Sequence, residues 1–388
     1  MDTVRVGIIG IGNIGSAHAF AIWSGKVEGM KLGALCDIDR DKLSTLEEKY
    51  PDVPLFENAE DMMKSGLVDA VIISVPHYGH PLLAIKAFSY GLHVMTEKPG
   101  GVTCRSVREM TEAAKKSGKV FGIMFNQRNN KLFAYAKEQV ENGSLGDIKR
   151  SVWIITNWYR KQCYYDSGSW RATWAGEGGG VLLNQAPHNL DLWQWICGMP
   201  RSISAVCNVG KYHDIEVEDE ATIFAEYENG AEGVFITTTG EYPGTNRLEI
   251  SGTKGKLVIE NGRLTHSSFE FDEKDFRMMP EETQNPITTV EISDEAYNGH
   301  VDILKNFTGA ILRGDKLLAP GEDAIHELTI SNAAYLSSWT GEKIALPMDD
   351  RKFEALLEER VKNTKARENI SRASGSTTNY FTRWNTNW

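Results

Sequence analysis

"VRVGIIGIGNIGSAHAF", residues 4–20, joins a short apolar run to a helical pattern through Gly10-Ile11-Gly12-Asn13-Ile14-Gly15. A G-x-G-x-x-G turn between strand and helix lets the backbone approach a pyrophosphate, and the helix N-terminus adds N–H groups and a positive dipole end. Taken alone the motif is weak, because glycine-rich turns are common. Its surroundings give it weight: the next apolar run, "KLGALCD", ends in Asp37, 22 residues after Gly15. An acid there can take the ribose hydroxyls of an adenosine and repels a 2′-phosphate, so NAD is the expected cofactor, with NADP left open by Arg40.

Outward from this unit the alternation of strand and helix continues. A helix over Asp39 to Lys49 precedes the strand "DAVIISVP", a helix through "HPLLAIKAFSYG", the strand "LHVMTEKP", a helix from Arg105 to Lys116 and the strand "KVFGIMF". Continuous apolar strands separated by amphipathic helices predict a parallel sheet covered on both faces. Residues 1–125 therefore read as a doubly wound α/β domain.

After Phe125 the pattern changes. A helix over Lys131 to Glu141 is followed by "RSVWIITNWY", "SISAVCNV", "ATIFAEYENGAEGVFITTT" and "RLEISGTKGKLVIENGRLTHSSFEF", in which Asn229-Gly230 and Asn261-Gly262 mark tight hairpins. Residues 126–347 thus predict an α+β domain on a large, mostly antiparallel open sheet. Helices in "NLDLWQWICG", "GHVDILKNFTGAILRG" and "GEDAIHELTISNAAYLSSWTG" are expected to cover one face and leave the other for a partner subunit. Residues 348–388 read as an extension, a charged helix from Asp350 to Arg367 and then an aromatic-rich arm expected to pack on its own or a neighbouring subunit.

With 42 basic and 53 acidic residues the net charge is −11, which argues against nucleic acid and anionic membranes as partners. No stretch of eighteen apolar residues occurs, and the start runs straight into a strand without a leader, so a cytoplasmic protein is expected. Cys36, Cys104, Cys163, Cys197 and Cys207 lack Cys-x-x-Cys spacing; buried, reduced thiols are expected, with neither a disulfide framework nor a zinc site.

Two residues stand out for chemistry. Lys98, in "TEKPGG", lies at the C-terminal end of a parallel strand, the edge where doubly wound folds bind ligands, and Pro99 restricts it to extended conformations. A cis Lys98-Pro99 bond would aim its ammonium inward. His188 lies in "GEGGGVLLNQAPHNLDLWQWICG", where the glycines allow close packing and Asn184, His188 and Asp191 fall on one helical face; Pro187 makes that helix kink or begin late. His77-x-x-His80 lacks a third ligand, so no metal is expected, and His80 reads as a cofactor-side or helix-start residue.

The G-x-G-x-x-G turn, "SVPHYGH", "EKPGG" and "GGGVLLNQAPHNLD", in this order and spacing, resemble the Gfo/Idh/MocA family of sugar and cyclitol oxidoreductases over residues 1 to about 347. The resemblance implies a Rossmann domain joined to an open-sheet α+β domain, a nicotinamide cofactor, and catalysis by Lys98 and His188. Cofactor contacts are expected from Gly10, Gly12, Asn13, Ile14, Asp37, Ile38, Arg40, Ser74, Pro76, His80, Glu97, Lys98 and Gln127. Many relatives carry Asp where this chain has Asn184, and the departure resembles the subset that oxidises a pyranose hydroxyl at C3, levoglucosan and UDP-sugar-acid dehydrogenases among them.

The expected reaction moves a hydride between nicotinamide and a secondary hydroxyl of a sugar, glycoside or cyclitol. His188 would serve as base, Lys98 would orient the hydroxyl and stabilise the oxyanion, and Asn184 would hold a neighbouring hydroxyl. Arg128, Tyr165, Trp170 and Arg171 are the proposed sugar contacts. A homodimer or homotetramer is expected. Two other readings stay open: a redox-neutral glycoside-cleaving enzyme that keeps its NAD, and a non-enzymatic dinucleotide-sensing regulator.

Overall fold

The computed structural model describes residues 2–294 and 298–364. The chain divides into two compact units, one from Met1–Asn129, Gly176–Gly178 and Asn298–Leu328, the other from the remainder.

In the first unit, β1 (Val4–Ile9), β2 (Met30–Cys36), β3 (Leu55–Phe56), β4 (Ala70–Ile73), β5 (His93–Thr96) and β6 (Phe121–Ile123) form one parallel sheet in the order β3-β2-β1-β4-β5-β6. Helices α1 (Asn13–Trp23), α2 (Arg40–Lys49), α3 (Ala59–Lys64), α4 (Gly79–Ser89) and α5 (Cys104–Ser117) alternate with the strands. Every residue of β4 is buried, as expected of a strand covered on both faces. Helix boundaries follow local chemistry. Asp39 caps α2 by accepting from the Asp41 and Lys42 amides; Thr103 caps α5 through the Ser106 amide, and Gly118 closes it in the left-handed conformation. The strand order reverses beside β1, so the carboxyl ends of β1 and β4 open onto a crevice.

The second unit holds a nine-stranded sheet: β7 (Ile148–Ile155), β8 (Ser202–Val209), β9 (Glu218–Glu226), β10 (Glu232–Thr238), β11 (Asn246–Gly252), β12 (Gly255–Glu260), β13 (Arg263–Phe269), β14 (Ile287–Ser293) and β15 (Ile344–Ala345). All neighbours are antiparallel except β7 and β10. The sequence reading did not foresee β14 or β15, both at sheet edges. Asn261 and Gly262, both at positive φ, make the expected two-residue turn between paired Glu260 and Arg263. Asn229-Gly230 instead sits in a wider loop, closed by the Tyr227 amide on the Ala231 carbonyl.

Helices α6 (Lys131–Glu141), α7 (Gln162–Tyr165), α8 (Val181–Asn184), α9 (Pro187–Cys197) and α10 (Glu273–Phe276) belong to this second unit. An aromatic core joins α6 and α9 to the sheet: Phe133 lies 5.7 Å from Trp153, and Trp193 lies 5.5 Å from Phe235. Both indole N–H groups are satisfied, Trp153 by Asn246 and Trp193 by Ser151, so this burial carries no unpaired donor. A Cβ at Gly233 would come within 2.6 Å of the Trp193 ring, which is why the strand carries glycine there.

Two expectations need correction. Helix α11 (Gly299–Arg313) does not cover the antiparallel sheet; it packs in the first unit against α1 and β1, with Leu312 and Thr308 beside Gly29. Its apolar stripe records that it covers something, but not which sheet. Cys163 is exposed on the four-residue α7, although the other thiols are buried or half-buried. Helices α12 (Ala324–Thr340) and α13 (Asp350–Lys362) follow, with Trp339 stacked on Phe353 at 5.5 Å and capped by the Arg360 guanidinium at 3.8 Å. The aromatic arm expected beyond residue 364 lies outside the described residues.

Candidate active site

In the first unit the glycine loop leaves β1 at Gly10, whose φ of +88° favours glycine. A Cβ on Gly10 would meet the Ser74 carbonyl oxygen at 2.7 Å, and one on Gly15 would meet the Gly10 carbonyl oxygen at 2.0 Å. At Gly12 a Cβ would meet nothing within 4 Å. Gly10 and Gly15 are thus needed by the protein itself, whereas bare backbone at Gly12 faces open space, as approach by a pyrophosphate requires. The Ser74 hydroxyl donates to the Gly10 carbonyl at 2.7 Å and ties the loop to the end of β4.

Asp37, just past β2, is buried. One carboxylate oxygen accepts from the Ile11 amide at 2.7 Å and the other from the Asp39 amide at 3.0 Å, with Lys42 Nζ 3.4 Å away. Arg40 is turned to Glu57 at 2.8 Å in an exposed pair. Beside Asp37 a hollow of about 360 Å³ is lined by the apolar Ile38, Ala59, Met63, Leu82 and Leu83 and by Glu57, Asn58, Glu60 and Lys86. Ile38 is 91% exposed and Leu82 70%, unusual for large aliphatics without a partner. Leu82 and Met63 were missed from sequence, since in a helical pattern they read as ordinary apolar positions.

Lys98 follows directly on β5, at the same end of the parallel sheet as the glycine loop and Asp37, and its bond to Pro99 is cis. The turn is held by His80 in the first turn of α4. Its Nδ1 lies 2.7 Å from the Pro99 carbonyl and its Nε2 2.7 Å from the Val75 carbonyl. Burial pushes the His80 pKa down, against the two carbonyl hydrogen bonds. His80 thus stands at the start of α4, and its ring is enclosed. Pro76 is exposed on the loop after β4, while Glu97 and Gln127 are buried.

Arg128 is placed differently from the sequence expectation. Its buried guanidinium donates to Asp323 at 2.5 Å and to the Leu318 carbonyl at 3.3 Å, within the first unit. A guanidinium so engaged holds structure together.

In the second unit, Pro187 is the first residue of α9. Asn184 ends the separate α8, so the continuous face expected for Asn184, His188 and Asp191 is broken; only the last two share a helix. The glycines before them are required by contact: a Cβ on Gly180 would meet the Glu218 carbonyl oxygen at 1.9 Å, and one on Gly179 the Tyr335 hydroxyl at 2.2 Å. Glu218, fully buried at the start of β9, accepts from the Gly180 and Leu182 amides at 2.9 Å each and from the Tyr335 hydroxyl at 2.7 Å. Burial pushes its pKa up to about 7, opposed by these donors. Sequence reasoning missed Glu218, which looks like one more acid in "EVEDE".

Tyr165 is buried with its hydroxyl 2.7 Å from that of Thr239. The half-buried Arg171 guanidinium lies over Trp170 at 4.5 Å and Tyr164 at 4.8 Å and donates to the Tyr164 hydroxyl, which also accepts from Gln185, next to Asn184. Trp170, Arg171 and Tyr164 thus form one wall tied to the α8–α9 junction.

A glycine-cradled helix terminus, an acid after β2 and this strand order define a dinucleotide-binding oxidoreductase-type domain. Residues 4–125 match the family profile described as "Oxidoreductase family, NAD-binding Rossmann fold", and residues 133–258 match "GFO/IDH/MocA C-terminal domain". The chain belongs to the Gfo/Idh/MocA oxidoreductase family and is an NAD-binding oxidoreductase. It is 28% identical to the myo-inositol 2-dehydrogenase of Thermotoga maritima, over 68% of this chain and 77% of that one. It is 26% identical to the D-glucoside 3-dehydrogenase of Escherichia coli, over 88% and 97%. Among solved structures, the WlbA dehydrogenase of Bordetella pertussis, in complex with NADH and UDP-GlcNAcA, superposes with a TM-score of 0.74 at 26% identity, covering 89% of this chain and all of the other. Among the described residues no helix is long and apolar enough to cross a membrane, and no group of three or more metal-ligating side chains is found.

Proposed function

We propose that this chain transfers a hydride between NAD and a secondary hydroxyl of a sugar, glycoside or cyclitol, with C3 of a pyranose as the carbon oxidised. The observation that carries the reading is the position of Lys98 just past β5, at the sheet end that also bears the glycine loop and Asp37. Relatives named as myo-inositol and D-glucoside dehydrogenases support the substrate class, and the second of these supports C3. In the proposal the open backbone at Gly12 receives the pyrophosphate, Asp37 the adenosine ribose, and the hollow beside Ile38 and Leu82 the adenine. Bound NAD supplies the hydride acceptor.

Loss of hydride from a carbinol carbon requires the hydroxyl proton to leave. His188 is the proposed base, because an imidazole titrates near neutrality. The Lys98 ammonium is the proposed donor to the developing alkoxide, and Asn184 holds an adjacent hydroxyl without competing for the proton. Trp170 and Arg171 offer the ring face and forked donors that suit a polyol. Asp37, with Arg40 engaged by Glu57, favours NAD over NADP. A homodimer or homotetramer in the cytoplasm completes the reading, supported by the exposed Val206 and Phe224 on the open sheet and by five free thiols.

The test is NADH fluorescence across glucosides, inositols, anhydrosugars and nucleotide sugars, with products mapped by NMR. Turnover of a pyranoside to its 3-keto product is expected. Binding of NAD with no oxidation across the panel would reject the proposal.

A further inference from the structure

Behind Lys98 lies a buried cluster that the reading above does not use. Glu97 is enclosed, and its Oε1 faces His18 Nε2 at 2.7 Å. Its other oxygen accepts from the Lys98 amide at 3.3 Å. His18 is on α1, one turn beyond Gly15, and is 1% exposed. His300, on α11, places its ring 5.7 Å from that of His18, with its Nδ1 3.4 Å from the Asn126 amide nitrogen. The titratable groups facing Glu97 are therefore His18 from α1, His300 from α11 and Lys98 itself, while His80 from α4 feels the charges of both Glu97 and Lys98.

Burial alone would push the Glu97 carboxyl up. The His18 hydrogen bond, with the charges of His18, His300 and Lys98, outweighs it and holds the pKa down at about 2. Burial pushes the pKa of His300 down to about 4, against the attraction of Glu97. An ionised carboxylate can only accept, so His18 Nε2 carries the hydrogen.

We propose that His18 is a positioning residue for Lys98: its ring N–H keeps the Glu97 carboxylate ionised and oriented, and that buried anion keeps the Lys98 side chain in its ammonium form. The inference rests on the role of Lys98 proposed above. It also makes the glycine-loop helix and the lysine one mechanical unit, since α1 carries both Gly15 and His18.

The test is a ¹³C NMR titration of Lys98 in the full chain labelled at lysine Cε, assigned with Lys98→Arg, alongside the pH profile of kcat/KM. Glu97→Gln removes the anion and is expected to lower the Lys98 pKa by about 1–3 units, moving the alkaline limb of the profile down with it. His18→Leu should move the Lys98 titration in the same direction but by less, because Glu97 stays ionised where a lysine titrates yet loses the donor that orients it. His18→Gln, whose amide can still donate, should restore the wild-type titration. An unmoved Lys98 in Glu97→Gln overturns the proposal, as does equal behaviour of the Leu and Gln variants at position 18. Glu97→Gln is isosteric and decides the matter alone if His18→Leu does not fold. The NMR arm needs no substrate, so near-normal turnover by Lys98→Ala would remove the catalytic reading while this titration still decides the inference.

Discussion

The Ile11 amide donates to Asp37 Oδ2 at 2.7 Å, so the carboxylate after β2 reaches across to the glycine loop after β1. One oxygen of the proposed ribose-binding acid thus fixes the loop that would cradle the pyrophosphate. Asp37→Asn keeps the shape but turns an acceptor into an amide, and should weaken NAD at least about tenfold, the lost charge-assisted bond being worth roughly 1.5–3 kcal/mol. Calorimetric titration with NAD measures it, and unchanged affinity would remove Asp37 from the site.

Gly12→Val tests the loop without disturbing the fold. Its side chain would enter open space, so the thermal midpoint should stay near wild type while NAD binding is lost. Gly10→Val is the contrast: the clash with the Ser74 carbonyl and the positive φ should destabilise the chain itself. Loss of stability in both variants would show that Gly12 is held for packing.

Lys98→Met and His188→Phe should each lower kcat by about 10²–10⁴-fold, the range for removing an oxyanion donor or a general base. NAD affinity should stay within a fewfold of wild type for His188→Phe. Steady-state kinetics with whichever polyol the panel identifies gives the answer, and near-normal turnover in both variants rejects the assigned roles.

Arg128→Met separates the sequence expectation from the observed ion pair. Removing one partner of a fully buried pair typically costs about 3–5 kcal/mol; Asp323 is 25% exposed, so the cost should be smaller, but the thermal midpoint should still drop. KM for the sugar should stay unchanged in the protein that still folds. A selective rise in KM with unaltered stability would restore Arg128 as a sugar contact.

Glu218 gives a pH dependence with a defined sign. Its folded pKa, about 7, lies above the ordinary carboxylate value of 4.5, so the folded chain holds this proton more tightly than the unfolded one. The resulting stability is present below pH 4.5 and is lost as pH rises through 7, by an amount on the order of 3 kcal/mol. Unfolding of Glu218→Gln between pH 5 and 8 should lack this decline. An identical slope in both proteins would place the titration on another group.

The alternation over the first 125 residues, the G-x-G-x-x-G turn, Asp37 and the strand-end lysine were legible because each depends on neighbours a few residues away. Backbone sterics fix a glycine turn, and the hydrophobic period fixes a buried strand. The short register of the Asn261-Gly262 hairpin was legible for the same reason. The break between Asn184 and His188 was half legible, since Pro187 announced it but could not say whether the helix would bend or restart.

Sequence by itself therefore determined the class of each domain and named the candidate groups for chemistry. Tertiary structure decided what those groups touch: that Arg128 belongs to Asp323, that α11 covers the parallel sheet, that Glu218 holds the glycines before His188, and that Glu97 sits against His18. The reason is physical. Propensity and periodicity act over a turn or a strand, whereas burial and charge pairing join residues far apart in the chain, 38 positions for Gly180 and Glu218 and 195 for Arg128 and Asp323, and a lone charge in a sequence does not name its partner.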